Sequence, residues 1–147
     1  MWIQKNIKLQ ARPRGFHLIT AEVAQQLPEL RQIVIGLAHF HLQHTSASLS
    51  INENADSTVR RDMEAHFNKL APEGASYYQH NHEGPDDMPA HIKSALLGCE
   101  LAVPVSKGSL QLGTWQGLYL GEHRNKAGER TLVVTIQGQE SIEQRRG

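Results

Sequence analysis

The stretch Leu101–Gly138, LAVPVSKGSLQLGTWQGLYLGEHRNKAGERTLVVTIQG, decides the fold class. It holds three runs rich in strand-forming residues, LAVPV, LQLGTWQGLYL and RTLVVTIQG. Few residues separate them, and short links join antiparallel strands, because a parallel pair needs a long crossover. The expectation is three antiparallel neighbours. Upstream, Trp2 to Gln10 has strand character, with Ile7 and Leu9 alternating against polar residues. ARPRG breaks it, Gly15 to Ile19 resumes it, and the two segments are predicted to form a hairpin. Gln32 to Leu42 is a long apolar strand run, and Ser46 to Ile51 alternates serines with Ala47, Leu49 and Ile51.

Three helices interrupt these strands. Thr20 is placed to cap one that runs to about Leu27, where Pro28 helps to stop it. Asp56 starts the second, whose Val59, Met63, His66, Phe67 and Leu70 recur at helical spacing and are predicted to face the core. Asp87 is predicted to cap the third, with Pro89 tolerated in its first turn and Gly98 at its end. Strands with three inserted helices and no regular βαβ unit read as α+β.

The chain has 147 residues, which fits a single domain over residues 1–147. Cys99 is the lone cysteine, so no internal disulfide framework exists, and it reads as a buried thiol. Fifteen basic and 15 acidic residues cancel, which argues against general nucleic-acid or membrane binding. No apolar run has the length of a membrane span or signal core, so the expected location is the cytoplasm. The unusual feature is nine histidines.

Three segments carry the polar chemistry. In HTSASLSINENAD, His44 to Asp56, His44 leads into a strand whose Ser46, Ser48, Ser50 and Asn52 share one face. Glu53, Asn54 and Asp56 lead out of it. This is either a solvated face with a helix cap or the wall of a polar pocket. No Gly-x-Ser-x-Gly elbow supports a serine nucleophile. In HNHEGPDDMPAHIK, His80 to Lys93, three histidines and three carboxylates surround a Gly84-Pro85 turn. His91 lies four residues after Asp87 on the same helix face, where a carboxylate can orient an imidazole ligand. The segment is either an acidic turn with exposed histidines or a site in which two imidazoles converge with His44. Three imidazoles from separate elements suit an open divalent-metal site. In LGTWQGLYLGEHR, Leu112 to Arg124, Trp115 reads as a core filler and Gln116 can orient a ligand through its amide. Glu122, His123 and Arg124 offer acid–base or anion-binding groups, or simply a charged strand end. His17, His39, His41 and His66 read as structural.

HTSASLSINENAD, YYQHNHEGPDDMPAHIK and the pair LQLGTWQGLYL with EHR together resemble the YjbQ family, and the likeness spans nearly the whole chain. The resemblance implies an α+β fold with an antiparallel β-sandwich-like core and about three helices, assembled as a homotrimer. It makes His44, His80 and His91 the recurrent histidines and matches Glu53, Asn54, Asp56, Asp87 and Gln116 to the family motif. His82 falls where histidine is unusual. The expected metal set is therefore His44, His80 and His91 around zinc, with magnesium as the alternative. Glu53 is the expected general base, Asp87 holds the His91 ring and Gln116 completes the catalytic set. Thr45, Ser46, Asn54 and Arg124 are the expected contacts to a small polar or phosphorylated metabolite.

Some members of the family carry the label secondary thiamine-phosphate synthase. That reaction joins a pyrimidine diphosphate to a thiazole phosphate as pyrophosphate leaves, and Arg124, Arg60 or Arg61 could neutralise the leaving group. Two classes stay open: a metal-dependent transferase or hydrolase, and a non-catalytic metabolite-binding trimer.

Overall fold

The computed structural model describes residues 1–142. The chain runs β1 (Trp2–Leu9), β2 (Gly15–Leu18), α1 (Thr20–Gln25), a 3-10 turn (Pro28–Gln32), β3 (Ile33–Leu42), β4 (Ala47–Glu53), α2 (Ser57–Leu70), α3 (Asp87–Leu97), β5 (Glu100–Ser106), β6 (Ser109–Leu110), β7 (Gln116–Glu122) and β8 (Arg130–Glu140). Every strand pairing is antiparallel. A five-stranded sheet has the order β1-β8-β3-β5-β6, and a three-stranded sheet has the order β2-β7-β4. The α+β reading holds.

Alternation builds the core. In β8, Leu132, Val134 and Ile136 turn inward while Thr131, Val133 and Thr135 are only partly covered. Ile7, Leu9, Phe40, Leu42, Val103 and Val105 add the inner face of the larger sheet, and Leu49, Leu118 and Leu120 meet them from the smaller one. Val23 and Leu27 close one end. On its other side the smaller sheet carries α2 and α3. Phe16 of β2 lies 5.8 Å from Phe67 of α2, ring centre to ring centre, and 6.5 Å from Tyr119 of β7.

Several expectations about neighbours fail for one reason: two sheets compete for each strand. β1 and β2 form no hairpin, since β1 pairs with β8 and β2 with β7. The ARPRG link instead carries the chain between sheets, tied to α1 where Arg12 and the Gln10 amide both meet Glu22. The three C-terminal runs are not mutual neighbours either: β5 and β8 flank β3, and β7 lies in the other sheet. LQLGTWQGLYL breaks between β6 and β7. Gln116 N donates to the Gly113 carbonyl (3.0 Å) in a turn that leaves Trp115 65% exposed, not in the core.

Helix limits follow local chemistry more closely. Asp56 caps α2 by accepting from Thr58 N, and Gly98, at φ +94°, ends α3. Thr20 does not cap α1; its Oγ1 accepts from Leu118 N at 2.9 Å and pins the helix to β7. The stripe expected to bury α2 does not do so: the helix has no fully buried residue, His66 is exposed and Leu70 is 57% exposed. His39 and His41 lie on the partly open outer side of β3, where His39 bonds Glu100 at 2.9 Å.

Candidate functional site

Asp87 is the first residue of α3, and its side chain is 2% exposed. It does not cap the helix. One carboxylate oxygen, Oδ1, accepts from Arg124 Nη1 at 2.6 Å. The other, Oδ2, lies 2.7 Å from His80 Nε2 and 3.1 Å from His91 Nε2. The two imidazoles reach it from different elements, one from the arm before the Gly84-Pro85 turn and one from the next turn of α3. These three groups each offer one ligand atom, and the atoms lie within 4.8 Å of one another. Among the described residues this is the cluster that could hold a metal ion.

The hydrogen bonds assign the His91 tautomer. Nδ1 lies 2.8 Å from the Thr45 carbonyl, which can only accept, so Nδ1 carries a proton. Nε2, the nitrogen left for a ligand bond, points at Asp87 Oδ2 and can donate to it when it carries a proton. Burial alone would raise the Asp87 carboxyl, but the His80 hydrogen bond and the charges of His91 and Arg124 hold it below the usual carboxylate range. An ionised carboxylate and two imidazole nitrogens thus converge, and a metal ion bound there would take the place of the ring protons that point at Asp87.

Arg124 sets this geometry from behind. Nε donates to Asp86 Oδ2 (2.9 Å), Nη1 to Asp87 and Nη2 to the Glu83 carbonyl (2.7 Å). The Asp86 hydrogen bond, against some burial, raises its guanidinium further. Arg124 was expected to contact substrate; its donors are instead spent on the loop that carries the ligands.

His44 stands apart from the cluster. Its Nε2 accepts from Thr131 N at 2.8 Å, so that lone pair is taken and Nδ1 holds the proton of a neutral ring. Burial first, then the nearby Arg130 charge, pushes the ring below its ordinary value. The geometry therefore departs from the expected set His44, His80 and His91, with Asp87 in the third place. His44 does line the adjoining cavity of about 340 Å³, together with Thr45, His91, Ser94 and Cys99. Thr45 is exposed at its mouth, and Ser46 lends its carbonyl to Arg130 at 3.1 Å. His82 is exposed and outside the cluster.

Glu53, Asn54 and Gln116 are not brought to this place. They sit at the far end of β4, six strand steps from Ala47, or about 20 Å. There Glu53, the expected general base, has a local duty: its Oε2 accepts from Asp56 N (3.1 Å) at the entry to α2. Asn54 Nδ2 donates to the carbonyls of Thr114 and Gln116 at 3.1 Å each, and Gln116 Oε1 accepts from Gly113 N at 2.8 Å. Within one chain these three groups shape the Gly113–Gln116 turn.

Behind the site lies a buried polar layer, to which Ser48, Glu122 and His123 of the polar segments belong together with Lys93 and Arg130, which the sequence did not single out. Glu122 and Arg130 form a two-pronged pair at 2.8 and 2.6 Å. Ser48 Oγ bonds His123 Nε2 at 2.8 Å, and Lys93 Nζ donates to Asn68 Oδ1 at 2.7 Å. Burial, aided by the Lys93 and Arg130 charges, pushes His123 down to about 3. β7 is buried on both faces from Gly117 to Glu122, so its end is not the solvated, charged strand end that one reading of Glu122 and His123 expected.

Two antiparallel sheets beneath helices, with two imidazoles and a carboxylate gathered at a helix start, define an α+β protein with a candidate metal pocket. The chain belongs to the UPF0047 family of YjbQ-like proteins, whose sequence profile matches residues 5–139. It is 55% identical over 139 residues to UPF0047 protein YjbQ of Salmonella typhimurium, covering 95% of this chain and all of that one. It is 38% identical over 136 residues to a UPF0047 protein of Synechocystis, covering 92% of each. Among solved structures, a YbjQ-like protein of unknown function from Sulfolobus solfataricus matches with a TM-score of 0.82 at 25% identity, covering 95% of this chain and 99% of that one. An uncharacterised yjbq/upf0047 family protein from Clostridium acetobutylicum matches with a TM-score of 0.79 at 32% identity, covering 90% and 99%.

Proposed function

We propose that the protein is a metal-dependent enzyme acting on a small polar or phosphorylated metabolite, with His80, Asp87 and His91 as the metal ligands. The observation that carries this reading is the convergence of ligand atoms of His80, Asp87 and His91 within 4.8 Å of one another, with the His91 ring fixed from its other side by the Thr45 carbonyl. Two imidazoles and a carboxylate are a ligand set of catalytic zinc, which keeps a fourth position open. Imidazole ligands favour zinc over magnesium. Zinc bound there would acidify a water and polarise a phosphoryl or carbonyl oxygen, chemistry that serves hydrolysis or group transfer. The cavity beside His91 gives a small substrate a place next to that position. The thiamine-phosphate synthase label that the family resemblance brings fits this reading as a side activity.

Metal analysis of the purified protein tests the proposal. One zinc per chain is expected, with little in His91→Ala and a full complement in His82→Ala. Absence of stoichiometric zinc after dialysis against micromolar zinc sinks it. Turnover of phosphate esters by the zinc-loaded protein, lost in His91→Ala, would then separate an enzyme from a binding protein.

The same reading includes a homotrimer. Register places Trp2, Gln137 and Leu37 in one row across β1, β8 and β3, on the outer face of the larger sheet. Trp2 is 69% exposed, Ile35 62% and Leu37 47%, an apolar strip that a second copy would cover.

A further inference from the structure

Away from the histidines, a cavity of about 320 Å³ opens between β2 and the start of α2. Arg14, Phe16, Ser57, Arg60, Arg61 and Glu64 line it. Three guanidinium groups and one carboxylate line it; the first turn of α2 adds no further acid, and the capping Asp56 is the nearby carboxylate that feels the Arg60 and Arg61 charges. The pairing of these charges is incomplete. Arg14 is satisfied by Glu64 (3.3 Å) and Glu73 (2.7 Å), and Arg61 Nη2 reaches only Ser57 Oγ at 3.4 Å. Arg60 Nη1 is shielded from solvent and has no hydrogen-bond partner. One helical turn further on, Glu64 Oε1 accepts from Asn68 at 3.2 Å, while Oε2 is also shielded and also lacks a partner.

A buried guanidinium N–H without an acceptor and a buried carboxylate oxygen without a donor are both costly, and the two residues that carry them line one cavity. A single kind of ligand satisfies both. Its anionic head must accept from arginine in the planar geometry that suits phosphate, and it must bear an O–H that donates to Glu64. We propose that this cavity is a binding site for a small hydroxylated phosphate ester, with Arg60 and Arg61 on the phosphate and Glu64 on the hydroxyl. The site is separate from the metal cluster and does not depend on it.

Calorimetry in phosphate-free buffer with chelator present tests this, using glycerol phosphate, ethyl phosphate and inorganic phosphate as probes. Glycerol phosphate is expected to bind the full chain and His91→Ala alike. Arg60→Gln, with its melting temperature unchanged, should bind it roughly tenfold or more weakly, having lost a charge-assisted pair. Ethyl phosphate and inorganic phosphate should bind more weakly than glycerol phosphate, and Glu64→Gln should erase that difference. Unaltered binding in a folded Arg60→Gln, loss in His91→Ala, or no binding at millimolar probe overturns the proposal. Equal affinity for all three probes removes the hydroxyl from it and leaves the phosphate ion itself as the ligand.

Discussion

His91 is gripped at both ring nitrogens, by the Thr45 carbonyl and by Asp87, and Asp87 is gripped in turn by Arg124. Removing a partner that orients a ligand typically costs about 10- to 100-fold in metal affinity. Arg124→Gln should therefore weaken zinc by that factor while His44→Ala leaves zinc bound, as competition with a chromogenic chelator would show. Zinc lost equally from both variants would restore His44 to the ligand set. His123 makes a second prediction. Its imidazole falls from 6.5 to about 3 on folding, so between those values the unfolded chain holds the extra proton. Stability is then complete above about pH 6.5 and declines as pH falls, by about 1.4 kcal/mol per pH unit inside the window. Asp86 and Asp87, held low, add their loss only below about pH 4. Melting temperature should drop from pH 7 to pH 5, and His123→Gln should flatten that drop; an equally steep profile in the variant refutes it. The density of histidine and carboxylate in HNHEGPDDMPAHIK made His80, Asp87 and His91 legible from sequence. The fate of His44 was not, because its partner Thr131 lies 87 residues away.

At the scale of elements, β3 and β8 approach closely where Gly36 faces Gly138. A methyl group on Gly36 would lie 2.3 Å from the Gln137 carbonyl oxygen and 2.8 Å from Gly138 Cα, closer than real contacts allow. Gly36→Ala should cost about 1–3 kcal/mol of stability, read as a lower urea midpoint with an unchanged slope. An unchanged midpoint would mean that the strands slide apart without penalty. Helix ends were legible because Asp56, Pro89 and Gly98 act on their own neighbours. Strand partners were not. A strand's side-chain alternation says which face is buried but not which sheet receives it, and β2 and β7 left their sequence neighbours for the smaller sheet.

The whole molecule carries an apolar strip on the larger sheet and an incompletely buried α2. Light scattering should give three chain masses at micromolar concentration, and Ile35→Lys should shift the protein to monomer without unfolding it. A monomeric wild type removes the trimer from the proposed function. The separation of motif residues along β4 has a further consequence. Thr45 with His91 marks one end, and Glu53 with Asn54 and Gln116 marks the other. Substitutions about 20 Å apart without shared partners combine additively, so a double-mutant cycle between Glu53 and His91 should give a coupling energy near zero for a chain acting by itself. Significant coupling would mean that the far end of one subunit's strand works beside the histidines of another, and the two halves of the motif would then be read as belonging to different chains.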